Sequence, residues 1–140
     1  MRWPLQWHQV ESNLRFLMKL TESNIKISPF SYTTTPFSLY YQDTYEAWAH
    51  DFFKDSLIDP APMFAKPWQP RSTPMELSAI PQALAEAITN KYGAEHSITK
   101  MLVPFDTIKN RQFMQYINYH DQHRHQDWRQ VFPEMVKYFQ

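Results

Sequence analysis

The chain has 140 residues, 14 basic and 14 acidic side chains and a formal charge of zero, so it suits one domain and projects no strong field toward nucleic acid or an anionic membrane. Its zero cysteines exclude disulfides, thiolate zinc sites, thiol nucleophiles and cysteine-ligated iron-sulfur clusters. A single glycine, Gly93, excludes glycine-rich phosphate loops and dinucleotide fingerprints, in which several glycines let the backbone approach phosphate.

The opening MRWPLQWHQVES lacks the uninterrupted apolar stretch of a signal peptide, and no run approaches a membrane span, so a cytoplasmic chain is expected. Trp7, Val10, Leu14 and Leu17 recur at helical spacing, with Pro4 acceptable in a first turn. IKISPFSY then alternates in the manner of a strand over 25–32. Tyr41, Tyr45, Trp48 and Phe52 mark a helix from Tyr40 to about Lys54, with Asp43 and Glu46 at capping-box spacing. The run APMFAKP, bounded by prolines, reads as a second strand over 61–66, making strand, helix, strand one βαβ unit.

Thr73 and Glu76 form a second box around Pro74, Pro81 opens a helix, and Gly93 closes it. Residues 97–104 are ambiguous. A long helix follows from about Thr107 to His125, and Asp127 with Gln130 looks like the cap of a short final turn ended by Pro133. The fold class expected is therefore α/β, mostly helical with about two parallel strands. A parallel pair with open edges usually belongs to a larger, covered sheet.

The segment YHDQHRHQDWRQVFPEM concentrates histidines and aspartates. At 100° per residue His120, His123 and Asp127 share one helix face, which is compatible with metal ligation. Their spacing lacks the four-residue separation of helical zinc pairs, and Asp127 serves better as a cap. A solvated, helix-terminal histidine cluster is the better account, since histidine suits the negative end of a helix dipole. The same wheel turns Phe113, Ile117, Asp121, Arg124 and Trp128 toward the core, with a local ion pair between Asp121 and Arg124 as the simplest reading. The hydroxyls of Ser31, Tyr32, Thr33 and Thr34 have no visible base beside them.

Several of these strings resemble one family. RWPLQWHQVESNLRFLMKL followed by NIKISPFSY is similar to the second half of radical S-adenosylmethionine proteins with a twitch-type C-terminal region, matched by Arg2, Trp3, Pro4 and Trp7. MELSAIPQALAEAI resembles the family's segment in which a proline opens a helix after the last barrel strand, matched by Leu77 and Pro81. The ending resembles the family's own at Asp121, Arg124, Asp127, Trp128, Phe132, Pro133 and Glu134, while the histidines fall on variable positions.

The resemblance implies a partial (β/α) barrel fragment, residues 1–93, with a helical C-terminal extension over 94–140. It implies that Ser31, Tyr32, Thr33, Thr34, Lys66 and Trp68 face cofactor or substrate at strand ends. The family's C-x-x-x-C-x-x-C loop, which holds the [4Fe-4S] cluster that cleaves S-adenosylmethionine, is missing from this chain. The chain alone is thus expected to bind neither cofactor and to generate no radical. Three roles remain open, the first two being a truncated or split relative completed by a cluster-bearing N-terminal half or by self-association, and a stand-alone interaction module on a degenerate scaffold. A histidine-dependent metalloprotein is the third.

Overall fold

The computed structural model describes residues 7–21, 33–60, 69, 71 and 73–140. They are helical: α1 (Trp7–Thr21), α2 (Gln42–Phe53), α3 (Gln82–Tyr92), α4 (Thr107–Arg124) and α5 (Trp128–Val131), with short 3₁₀ turns at Leu77–Ala79, Thr99–Met101 and Pro133–Tyr138. The chain divides into two compact units, one of Met1–Tyr32 and Asp43–Pro67 and another of Thr33–Gln42 and Trp68–Gln140.

In the first unit, α1 and α2 are amphipathic and close on each other. Ala49 and Phe53 of α2 are buried, with Leu14 and Met18 of α1 and Tyr45, Trp48 and Phe52 of α2 packed around them. Trp48 can bury its ring because its indole N–H donates to Glu11 Oε1 at 3.0 Å. Arg15 lays its guanidinium 4.6 Å from the centre of the Phe52 ring. Helix α2 ends where Ser56 folds back, its N–H and its hydroxyl each donating to Phe53 O at 2.9 Å.

The second unit is built on an aromatic core that begins outside any helix. Thr35 and Ser38 cap each other's backbone: Thr35 N–H donates to Ser38 Oγ at 2.8 Å and Ser38 N–H to Thr35 Oγ1 at 3.1 Å. This fixes the turns after Pro36 and drives Phe37 and Leu39 inward, where both are buried. The Phe37 ring lies 5.0 Å from Phe113, 5.1 Å from Trp128, 5.1 Å from Phe132 and 5.2 Å from Phe139. Leu77, Ile80, Leu84, Ile88, Ile98 and Met135 complete this core.

Helix α3 starts after Pro81 and ends at Gly93, whose φ of 88° suits a residue without Cβ and whose N–H returns to Thr89 O at 2.8 Å. Helix α4 starts at Asp106, whose Oδ1 accepts the N–H groups of Ile108 at 2.8 Å and Lys109 at 3.1 Å. It is tied to the 3₁₀ turn before α3 by Asn110 Nδ2 donating to Ala79 O at 2.8 Å and by Asp106 N–H donating to Ser78 O at 2.8 Å.

These observations correct the α/β expectation. Among the described residues there is no strand, no sheet and no barrel; Thr33 alone makes an isolated bridge. The physical reason is that the buried apolar side chains within each unit close directly on one another, helix on helix and ring on ring, with no sheet between them. The partial (β/α) barrel is therefore withdrawn as the fold. The two segments read as strands, 25–32 and 61–66, lie outside the described residues. Asp43 and Glu46 do not form the start of α2 either, since the helix begins at Gln42 and places Asp43 inside its first turn.

Candidate functional site

The polar crowd at the end of α4 was the strongest chemical signal in the sequence, and the backbone explains its geometry. Helix α4 stops at His125, which takes the left-handed conformation with φ 52° and sends its N–H back to Asp121 O. The chain then turns into α5, a helix of 4 residues whose first N–H groups have no partner inside the helix. Asp121 Oδ2 accepts the Trp128 N–H at 2.6 Å, and Asp127 Oδ1 accepts the Arg129 N–H at 3.0 Å. Asp127 also pairs with the Arg129 guanidinium at 3.1 Å.

Asp121 and Arg124 are both half-buried, yet they form no ion pair with each other; the carboxylate goes to the backbone of Trp128 instead. That corrects the local pair read from their spacing. Trp128 is buried at 5 % exposure and stacks on Phe37, so the carboxylate fixes the entry of a core residue. Phe132 lies half-buried in the same ring cluster, and Pro133 opens the last 3₁₀ turn at the surface.

The histidines are arranged by aromatic neighbours. His120 lies edge-on to Tyr116 with ring centres 4.3 Å apart. His123 lies over Tyr119 at 4.0 Å, its Nδ1 bonded to Tyr119 O at 2.8 Å, which fixes Nδ1 as the protonated nitrogen because a carbonyl only accepts. With Asp127 committed to Arg129, no group of three His, Cys, Asp or Glu side chains able to hold a metal forms among the described residues.

Of the residues assigned to a strand-end site, Ser31, Tyr32, Lys66 and Trp68 lie outside the described residues. Thr33 is exposed and Thr34 fully buried, so these neighbours do not present hydroxyls to one space. Arg2 and Pro4 also lie outside the described residues, and Trp7 begins α1. Pro81 stands at the N-cap of α3.

Sequence reasoning missed three features. Glu134 accepts the Tyr41 hydroxyl at 2.7 Å, a link across 93 positions that no local pattern announces. Lys91 donates to Tyr40 O at 2.9 Å while its ammonium sits 4.6 Å from the centre of the Tyr40 ring; a lysine in the last turn of a helix was the available hint. Third, apolar side chains are displayed from the end of the ambiguous stretch into the start of α4: Val103, Phe105 and Ile108 are 48 %, 44 % and 68 % exposed. The backbone beneath them is held by the Asp106 bonds and by the Lys109–Glu76 ion pair at 3.3 Å, with both side chains largely covered.

Elsewhere, His50, Lys54, Leu57 and Asp59 line an open depression of about 250 Å³ in the first unit, below the usual size of a small-molecule site. Among the described residues, the buried atoms Gln42 Oε1 and Trp128 Nε1 have no hydrogen-bond partner. No helix among the described residues is long and apolar enough to cross a membrane. Comparison with models of known families, with curated proteins and with solved structures finds no match to this chain.

Proposed function

We propose that this chain is a protein-interaction module with no catalytic chemistry of its own. The observation that carries the reading is the segment Val103–Ile108. Its apolar side chains are exposed although its backbone is pinned at Asp106, so the chain does not need to order them when a partner covers them. The polar residues that resemble a site support the same reading, because Asp121 and Asp127 are engaged in holding α5 in place. A cytoplasmic setting is proposed with it, since a cysteine-free chain uses none of the disulfide staples of small secreted domains.

The partner proposed is a separate polypeptide carrying the cysteine triplet, its [4Fe-4S] cluster and S-adenosylmethionine. What suggests it is the resemblance of several strings along the chain to that family, from Arg2–Trp7 to the segment around Pro81. This chain would then supply surface and the partner would supply chemistry.

The test is co-expression with a radical S-adenosylmethionine polypeptide bearing a C-x-x-x-C-x-x-C loop, followed by purification on this chain alone. Recovery of an iron-bearing complex, abolished by Val103→Asp with Phe105→Asp, is expected. An intact complex in that double variant would refute the role of the segment, and absence of any complex would refute the split-enzyme partner. Purified by itself after incubation with iron, sulfide or zinc, the chain should hold less than about a tenth of an equivalent of metal. Stoichiometric metal with S-adenosylmethionine cleavage would overturn the whole reading.

A further inference from the structure

We draw no further inference here: the strongest candidate outside the Val103–Ile108 segment, the open depression at the end of α2 lined by His50, Lys54, Leu57 and Asp59, carries nothing, because Lys54 is already paired with Asp51 at 2.9 Å and nothing in the structure shows what ligand the remaining groups would hold.

Discussion

Replacing Phe37 by alanine tests whether an irregular segment, and not a helix, holds the second unit together. Phe37 is 5 % exposed, and its ring faces Phe113, Trp128, Phe132 and Phe139, all with centres between 5.0 and 5.2 Å. Truncating a buried phenylalanine costs about 3–5 kcal/mol from lost transfer energy and the residual cavity. Each edge or stacked ring contact adds roughly 0.5–1.5 kcal/mol beyond area, though the contacts share one ring and will not sum independently. A loss of about 4 kcal/mol is therefore expected, a large fraction of the roughly 5–15 kcal/mol that holds a domain. With a urea slope of about 2 kcal/mol per molar, the midpoint should fall by about 2 M. Near-ultraviolet circular dichroism should report it, because the stacked Trp128 loses its asymmetric environment. Phe16→Ala, at a position 63 % exposed, is the control and should change stability by less than about 0.5 kcal/mol. A Phe37→Ala loss below about 1 kcal/mol would refute the assignment of this ring to the centre of the core.

Asp121→Ala should cost about 2 kcal/mol, because it removes a charge-assisted acceptor from a half-covered backbone N–H, and Asp121→Asn should recover most of the loss; equal losses in urea titrations of the two variants would show that charge, not the acceptor, matters. His125→Gly should raise stability by about 1 kcal/mol, measured the same way, since φ 52° strains a residue with a Cβ. Burial holds the Tyr45 hydroxyl above the usual tyrosine value of 10.0. The folded state then keeps a proton that the unfolded chain releases, so this contribution is complete below the ordinary value and is lost as pH rises past it. Stability followed from pH 9 to pH 11 should fall less steeply in Tyr45→Phe than in the parent; parallel curves would sink the point.

How much of this was readable depends on whether the controlling interaction is periodic. Phe113 is buried where helical spacing puts it, whereas the stripe Tyr45, Trp48 and Phe52 is only half-buried, packed around the fully buried Ala49 and Phe53 one position further on. Phe37 and Leu39 belong to no period, and their burial follows from a reciprocal Thr35–Ser38 bond that resembles ordinary turn composition in sequence. The Asp43–Glu46 spacing misled because two residues at the right separation satisfy a capping pattern wherever the helix begins, and α2 begins at Gln42. Short apolar runs between prolines are weak grounds for a strand, because a few such residues fit more than one conformation. For the polar tail, the wheel could show that Asp121 faces inward but not what it would meet there. Its partner is a backbone N–H seven positions on, whose need for an acceptor arises only once α5 exists.

That dependence bears on what the resemblance at the ending can mean. A helix of 4 residues has too few internal hydrogen bonds to stand alone. Here it is held by two aspartates, by Trp128 against Phe37, and by the Phe132 ring, each of which needs the others in place. Such coupling serves the packing of the turn and specifies no reaction. The Asp-x-x-Arg-x-x-Asp-Trp pattern therefore points to a way of ending a helical unit. The proposed interaction role therefore rests on the exposed Val103–Ile108 segment and not on the ending.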